Sequence, residues 1–272
     1  MRFVKYHALG NDYLVIERAA WGDAVDPDRV RGLCDRHRGV GSDGILVVDS
    51  TGGLHRVRIF NPDGSEAEKS GNGLRIVARH LYETGRAGNE PFEVETAGGP
   101  VTCRVEDGGG VVTADMGVVS FASADIPVAG PPREVLRERL TIDGAEVEFS
   151  AATVGNPHCV VLRDRVSPED AMRLGPLLER HPLFPNRTNV QLLRVERRDA
   201  IRIEIWERGA GYTLASGSSS CAAAAVAHRL GLVDGRVDVH MPGGVLAVDI
   251  GQDWRARQKG PVARVFTGVV GE

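Results

Sequence analysis

SGNGLRIVARHL at residues 70–81 and SGSSSCAAAAVAHRL at residues 216–230 share one pattern. In each stretch, a serine and small residues precede an apolar run that is typical of a helix. Serine is a preferred helix N-cap, because its hydroxyl accepts a hydrogen bond from a backbone N–H of the first turn. The pattern therefore predicts two helices that begin after Ser70 and Ser216.

The likeness continues beyond these helices. The pair Gly98-Gly99 begins 28 residues after Ser70, and the pair Gly243-Gly244 begins 27 residues after Ser216. Each pair opens an alternation typical of a strand, so the chain is predicted to be an internal duplication of two similar halves. Two facing helix N-termini would offer backbone N–H groups and positive dipole ends to one small anion, such as a carboxylate.

The composition excludes several classes of protein. The chain has 272 residues, a net charge of −4, 42% hydrophobic residues and 26% charged residues, which is ordinary for globular domains. No basic tract supports nucleic-acid binding. There is no 18-residue apolar run and no signal-peptide core, so we expect a cytoplasmic protein without a membrane partner. The four cysteines have neither disulfide-like nor zinc-like spacing.

Alternating and apolar runs predict most other elements. Strands are predicted at 2–6, 13–17, 45–48, 57–60, 101–105, 111–116, 146–149, 159–162, 188–192, 201–206 and 262–270. Helices are predicted at 27–37 and 168–181, and turns at 7–12, 61–65 and 154–158. A segment rich in Ala, Ser and Pro at 120–132 predicts a crossing between halves 1–119 and 120–261, with 262–272 returning to the first half.

Seven motifs follow one another in a fixed order along most of the chain. They are GND at 10–12, FNPDGS at 60–65, SGNG at 70–73, VGNPH at 154–158, TNV at 188–190, WERGAG at 206–211 and SG at 216–217. The ordered set closely resembles the diaminopimelate epimerase family. The resemblance implies an α/β (α+β) fold of two pseudo-symmetric domains, each a mainly antiparallel sheet curled around a central helix. It further implies an isomerase of lysine biosynthesis with its site between the domains, a small amino-acid substrate and a homodimer, without metal, PLP or nucleotide.

The resemblance also implies which residues form the site. In that family one residue removes the α-proton from one face of the amino acid, and another returns a proton to the opposite face. These two positions correspond to Ser70 and Ser216, with His158, Glu207 and Tyr212 beside the acid/base pair. Substrate contacts are implied for Asn11, Asn61, Gly71, Asn72, Asn156, Asn189, Arg208, Gly217 and Ser218.

The chain departs from the family pattern next to the chemistry. The family has cysteine at both acid/base positions, whereas this chain has Ser70 and Ser216. A thiol titrates near pH 8.5 and an alcohol several units higher, so a serine needs another group to activate it. Tyr212 replaces a usual glutamate, either as an acid or as a space-filling residue, and Lys69 replaces an apolar residue. An engineered cysteine-to-serine exchange would account for the serines but not for Tyr212 or Lys69.

Each site assignment has a structural alternative. Both serines could be plain helix caps. His158 could be a turn histidine, although its position after Gly-Asn-Pro makes it the first candidate to activate a serine. Arg208 could be an exposed strand-end cation, although a bidentate partner for a substrate carboxylate fits its position better. Cys159 and Cys221 are less favoured replacements for the missing thiols.

Three functions remain open from the sequence. The first is a cofactor-independent racemase or epimerase that acts at the α-carbon of diaminopimelate or a related amino acid. The second is one-sided acid/base chemistry on a specialised amino-acid metabolite, such as dehydration, cyclisation or tautomerisation. The third is a non-catalytic amino-acid-binding protein. Solvent deuterium exchange at the α-carbon distinguishes them.

Overall fold

The chain forms two compact units in a computed structural model that describes residues 1–22 and 26–271. The first unit comprises Met1–Asp115 and Lys259–Glu272, and the second comprises Met116–Gln258. The predicted domain limits, 1–119 and 120–261, stay a prediction. Among the described residues, no helix is both long and apolar enough to cross a membrane.

The elements are numbered in chain order. Up to residue 118 they are β1 (Arg2–Ala8), β2 (Asn11–Glu17), α1 (Arg18–Trp21), α2 (Pro27–Cys34), β3 (Ile45–Thr51), β4 (Leu54–Phe60), β5 (Glu66–Ala67), α3 (Gly71–Glu83), β6 (Phe92–Thr96), β7 (Gly99–Glu106) and β8 (Val111–Val118). They continue with β9 (Glu138–Ile142), β10 (Ala145–Thr153), β11 (Pro157–Leu162), α4 (Pro168–Glu179), β12 (Asn189–Arg197), β13 (Ala200–Glu207), β14 (Gly211–Thr213), α5 (Gly217–Arg229), β15 (Arg236–Met241), β16 (Gly244–Ile250), β17 (Arg255–Pro261) and β18 (Ala263–Val269).

The sheet of the first unit is mixed. β18 pairs antiparallel with β1, and β1 pairs antiparallel with β2. β2 then pairs parallel with β3, β3 antiparallel with β4, β4 parallel with β6, and β6 antiparallel with β7. Helix α3 packs against β1, β2, β3 and β7. The two chain ends lie together, because the amino group of Met1 donates to the carbonyl of Val270 at 2.6 Å.

The sheet of the second unit repeats this order of pairings. β9 pairs antiparallel with β10, and β10 antiparallel with β11. β11 pairs parallel with β12, β12 antiparallel with β13, β13 parallel with β15, and β15 antiparallel with β16. Helix α5 packs against β10, β11, β12, β13, β15 and β16. The predicted fold class, two similar halves with a mainly antiparallel sheet around one helix, is confirmed.

The central helices form where the sequence predicts them. Ser70 and Ser216 are the N-caps, with extended backbone at φ −138° and −145°. The α5 residues Cys221–Ala227 are all buried, since strands surround the helix. A helix that is apolar all round has no solvent face. The run of alanines lets the surrounding strands approach closely.

Several predicted bounds differ from the structure, and three of the differences have a clear local cause. The first turn is Leu9-Gly10 alone, both with positive φ, so Asn11 and Asp12 lie in β2 rather than in the turn. Helix α2 ends at Cys34 because the Asp35 backbone leaves helical geometry and its carboxylate accepts the N–H groups of residues 37 and 38. The predicted turn at 154–158 was also wrong in part, since pairing with β10 and β12 extends β11 back to Pro157.

Candidate active site

The first helix start holds Ser70 between two hydrogen-bonding groups. Its Oγ accepts the backbone N–H of Gly73 at 3.1 Å and lies 3.3 Å from the phenolic oxygen of Tyr13. Tyr13 projects from β2, and its ring lies against Gly44. A Cβ on Gly44 would lie 2.6 Å from Cε1 of that ring, so only glycine leaves room for it. The predicted N-cap is confirmed, and it has a phenolic neighbour that the sequence did not indicate.

Amide side chains surround the same helix start. Asn72, in the first turn of α3, donates to Oδ1 of Asn11 at 2.9 Å and accepts from the buried Arg75 at 2.6 Å. Asn11 in turn donates to Asp43 at 2.9 Å. The structure therefore brings together two predicted substrate contacts, Asn11 and Asn72, in one hydrogen-bonded group at the start of α3.

A charged cluster anchors the strand that carries Asn11 and Tyr13. Asp12 pairs with Lys5 and Arg36 at 2.7 Å each, and Arg36 also pairs with Asp43 at 2.6 Å. Burial would raise the pKa of the Asp12 carboxyl, but hydrogen bonds from Arg36 and Lys5 outweigh it and lower the pKa. Asp12 is therefore a charged anchor at neutral pH rather than an acid that could donate a proton.

Asn61 lies in a separate turn after β4. Its backbone N–H and its side-chain amide donate to the carbonyl and hydroxyl of Ser65 at 2.9 and 3.0 Å. Gly64, at φ 87°, closes the turn by donating to the carbonyl of Asn61 at 3.0 Å. This turn holds Asn61 in place, but no described hydrogen bond joins it to Asn11 or Asn72.

The second helix start contains serines with different hydrogen bonds. Oγ of Ser216 accepts the backbone N–H of Ser219 at 3.4 Å, and the hydroxyl of Ser220 donates to the carbonyl of Ser216 at 2.7 Å. Oγ of Ser218 accepts from the Asn156 amide at 3.3 Å. Gly217 lies so close to Gln258 that an added Cβ would come within 2.2 Å of its Oε1. Ser216 is thus an N-cap, as predicted.

His158 is fully buried, and both of its ring nitrogens are engaged. Nε2 lies 2.9 Å from Oδ1 of Asn156, and Nδ1 lies 3.1 Å from the amide nitrogen of Gln191. An amide oxygen requires a donor and an amide nitrogen donates, so this network holds the neutral Nε2–H tautomer. Burial, reinforced by the positive charge of Arg208, lowers the pKa of His158 to about 3. The geometry favours a residue that positions Asn156, and the acid/base role of His158 stays a prediction.

Gln191 extends this network to the second helix start. Its amide nitrogen also donates to Oγ of Ser219 at 2.9 Å. Gln191, His158 and Asn156 therefore link the first turn of α5 through Ser219 at one end and Ser218 at the other. Sequence reasoning missed Gln191, although it follows Asn189 at the alternating spacing that places both side chains on one face of a strand.

Glu207 and Arg208 lie where β13 ends. The backbone N–H of Arg208 donates to Oδ1 of Asn189 at 2.9 Å, and Asn189 donates to the carbonyl of Pro157 at 2.9 Å. The Arg208 guanidinium donates to the carbonyl of Asn186 at 3.2 Å. Within the described part of this unit no carboxylate pairs with it, so its charge remains available for an anionic ligand. Asn189 and Arg208 are brought together, as predicted contacts of one substrate group would be.

The carboxylate of Glu179, at the end of α4, accepts hydrogen bonds from both sides of this turn. Its carboxylate accepts the indole N–H of Trp206 at 2.8 Å and the backbone N–H of Gly209 at 3.2 Å. The carboxylate is buried at a helix C-terminus, where the dipole disfavours negative charge, and Arg187 balances it at 3.6 Å. Gly175, one turn earlier, makes room for the indole, because a Cβ there would lie 2.4 Å from Cγ of Trp206. Nothing in the local sequence pattern marked Glu179 as part of the site.

Tyr212, Cys159 and Cys221 are the remaining candidates for the acid/base chemistry. The Tyr212 hydroxyl donates to Glu204 at 2.7 Å, and burial together with that bond raises the phenol pKa. Its ring packs against the core of the second unit, which favours the space-filling alternative. Cys159 and Cys221 are buried, and burial raises the pKa of the Cys159 thiol. The raised pKa makes Cys159 a poor replacement acid or base, and the same role for Cys221 stays a prediction.

In each unit the groups at the helix start suit the binding of a small carboxylate. Each unit supplies a helix N-terminus, a hydroxyl at its cap and carboxamides from neighbouring strands. Helix N-termini bind anions, and carboxamides both donate and accept. Among residues 1–22 and 26–271, no three His, Cys, Asp or Glu side chains converge as metal ligands would.

Comparison with known proteins identifies the family. A family model described as diaminopimelate epimerase matches residues 3–122 and 150–265. Diaminopimelate epimerase 2 of a Nostoc species is 53% identical over 270 residues, covering 98% of this chain and 95% of the relative. Diaminopimelate epimerase of Desulfitobacterium hafniense is 42% identical over 277 residues, covering 99% and 98%.

Solved structures of more distant proteins share the fold. A hydroxyproline epimerase from Agrobacterium vitis superposes with a TM-score of 0.73 at 18% identity, covering 98% of this chain and 90% of that one. A phenazine biosynthesis protein from Bacillus anthracis superposes with a TM-score of 0.68 at 14% identity, covering 100% and 99%. At these identities the matches show the fold alone. The sequence matches show more: the chain belongs to the diaminopimelate epimerase family, a family of amino-acid isomerases, as its ordered motifs predicted.

Proposed function

We propose that this protein epimerises the α-carbon of diaminopimelate or a closely related amino acid by proton transfer on two faces, without a cofactor. Family membership supports the reaction class. One observation carries the assignment of the residues: Ser70 and Ser216 are both N-caps of central helices at the same position of two repeated topologies. In this proposal one serine exchanges the α-proton on one face of the substrate, and the other serine exchanges it on the opposite face.

The remaining predicted residues take binding roles in this proposal. Arg208 and the start of one central helix neutralise the substrate carboxylate, which also stabilises the carbanion that forms when the α-proton leaves. Asn11, Asn72, Asn156 and Asn189 supply amide contacts. Asn61, Glu207, Gly71, Gly217 and Ser218 line the same two helix starts and the turns beside them.

The test of the reaction is exchange at the α-carbon in deuterated water. Incubation of the purified protein with each diaminopimelate stereoisomer should give deuterium at the α-carbon together with inversion, measured by NMR and chiral chromatography. Elimination or ring closure of the substrate would instead support one-sided chemistry. Binding without exchange would support the non-catalytic alternative.

The test of the anion site is Arg208→Ala. We expect the variant to lose carboxylate binding in calorimetry, because the substrate charge loses its charged partner. The control is Arg165→Ala, which removes the same charge from an exposed position that has no described contact with the site. Unchanged affinity in Arg208→Ala would show that this guanidinium is not the anion site.

We further propose a homodimer in the cytoplasm, following the resemblance to the family. Val265, Phe266 and Val269 on β18 are 51%, 44% and 75% exposed, which is unusual for a cluster of apolar side chains on one strand. Light scattering of the purified protein tests the dimer. Phe266→Asp should shift the mass toward the monomer, and an unchanged mass would exclude this surface.

A further inference from the structure

We propose that Tyr13 is the acid/base partner of Ser70. This inference rests on the proposed function, in which Ser70 exchanges the α-proton, and it supplies the activating group that a serine at a cysteine position needs. In its ionised form, the phenolate oxygen of Tyr13 accepts the hydroxyl proton of Ser70 as Ser70 accepts the substrate proton, and the resulting phenol returns that proton when the reaction runs backward.

The hydrogen bonds of Ser70 leave one described group to which its hydroxyl can pass a proton. Oγ of Ser70 has two described partners, the backbone N–H of Gly73 at 3.1 Å and the Tyr13 hydroxyl at 3.3 Å. A backbone N–H only donates, so it cannot take a proton from the serine. The Tyr13 oxygen both donates and accepts, and it is therefore the group in the described part of this unit that can receive the proton.

The Tyr13 ring is held in place for this role. Tyr13 pairs with Tyr6 across β1 and β2, and its side chain is buried. The Gly44 backbone lies directly against one edge of the ring, where any side chain would clash. A catalytic group must be held by its surroundings to be effective. Tyr13 satisfies that requirement because it lies on a paired strand and its ring packs against the Gly44 backbone.

The step balances as a transfer of two protons. The α-C–H bond breaks and its electron pair stays on carbon, delocalised into the substrate carboxyl group. A new O–H bond forms at Ser70 while its original O–H bond breaks, and that proton goes to the phenolate oxygen of Tyr13. The N-terminus of α3 lies at Ser70, so its positive dipole end favours negative charge on this pair of oxygens before the transfer.

The kinetic test is Tyr13→Phe, which removes one oxygen atom and keeps the ring. We expect the rate of inversion to fall about 100-fold or more, the range for loss of a positioned acid or base. The control is Tyr6→Phe, the same change at the cross-strand partner, whose hydroxyl bonds to Glu83 at 2.8 Å at the other end of α3. Tyr6→Phe should stay within about threefold of the parent.

Tyr13→Phe in a Ser70→Cys background distinguishes a catalytic role of Tyr13 from a structural one. A thiol needs less activation than an alcohol, so Ser70→Cys should make the reaction insensitive to Tyr13. We expect Tyr13→Phe to cost less than about fivefold in the Ser70→Cys background. An equal loss in both backgrounds, or a loss below about threefold in the parent, would overturn the proposal.

A measurement without substrate distinguishes failure of this inference from failure of the proposed function. The ¹³Cζ resonance of labelled Tyr13 reports its ionisation. If Ser70 donates to the phenolate, Ser70→Ala should move the titration midpoint by at least about 0.5 pH unit. An unchanged midpoint refutes the Tyr13–Ser70 coupling even if the protein epimerises diaminopimelate. A shifted midpoint in a protein that exchanges no α-proton refutes the proposed function alone.

Discussion

The two units place the same helix start beside different chemistry. Gly10-Asn11-Asp12-Tyr13 opens β2, and Gly155-Asn156-Pro157-His158 opens the matching β11. Tyr13 extends to Ser70, whereas His158 at the corresponding position bonds to Asn156 and Gln191 rather than to Ser216. The duplication therefore preserved the scaffold, a capped helix surrounded by strands. The fourth residue of each motif determines whether the capping hydroxyl has a titratable neighbour within its own unit.

The same difference extends through the segment before each helix. FNPDGSEAEKSG at 60–71 and WERGAGYTLASG at 206–217 align without a gap. Asn61 in the first unit matches Glu207 in the second, and Lys69 matches Ala215. The first segment thus carries an amide where the second carries a carboxylate, and Pro62 stands where the second carries the Arg208 guanidinium. A doubled fold gives two similar frames, and the side chains at matching positions give each frame its own chemistry.

The largest expected effect tests whether His158 is held neutral. Its folded pKa, about 3, lies below the unfolded value near 6.5, so the unfolded chain binds a proton that the folded protein excludes. This contribution to stability is complete above pH 6.5 and is lost as the pH falls toward 3. We expect the unfolding free energy to drop by about 3 kcal/mol between pH 7 and pH 4 through this residue.

Urea unfolding at both pH values measures that drop. His158→Gln should remove this part of the pH dependence, whereas His37→Gln, at an exposed position, should leave it unchanged. Equal pH dependence in the parent and His158→Gln would mean that His158 is charged in the folded protein. Its role would then be closer to that of an acid.

The next effect compares single conversions of the two serines to cysteine. Ser216 has no described titratable partner in its own unit, so a thiol there should help more than one at Ser70. We expect Ser216→Cys to raise the rate of inversion about 100-fold and Ser70→Cys by less than about tenfold. Deuterium incorporation with chiral analysis measures both rates. Equal gains would show that Tyr13 gives Ser70 no advantage.

A smaller effect tests how Glu179 supports the Arg208 turn. Glu179→Gln leaves a neutral side chain with one acceptor oxygen for two donors, Trp206 and Gly209. We expect affinity for a carboxylate ligand to fall about tenfold, or about 1.4 kcal/mol. Calorimetry measures the affinity, and Glu169→Gln on the exposed first turn of α4 is the matched control. A similar loss in both variants would remove Glu179 from the site.

The smallest effect concerns the feature that the units share. Ser70→Ala and Ser216→Ala should each lower the unfolding free energy by about 1 kcal/mol, the usual cost of losing a cap. Ser218→Ala, in the same turn but not at the cap, should cost less than half of that. Urea unfolding measures all three. A much larger loss at one cap would show that the two helix starts differ in structural role as well as in chemistry.

The sequence predicted those parts of the molecule that depend on near neighbours. The capped starts of α3 and α5 and the start of α4 at Pro168 follow from residues within one turn. Strands β6, β9, β15 and β17 were not predicted, because partners elsewhere in the chain define them and their own patterns are weak. Tyr13 and Gln191, which distinguish the two helix starts, could not be predicted for the same reason. The oxygen beside Ser70 comes from Tyr13, 57 residues earlier, and the tautomer of His158 depends on Gln191.

Because the two chain ends lie side by side, the order of the units along the chain can be changed by circular permutation. Met1 and Val270 are joined by a backbone hydrogen bond, and β18 lies beside β1. A short linker could connect the described end of the chain after Val270 to Met1, and new ends could be opened in the irregular segment at 123–133. In such a circular permutant most of the second unit would come first, the first unit would follow as one uninterrupted stretch, and the residues from 116 to the cut would end the chain.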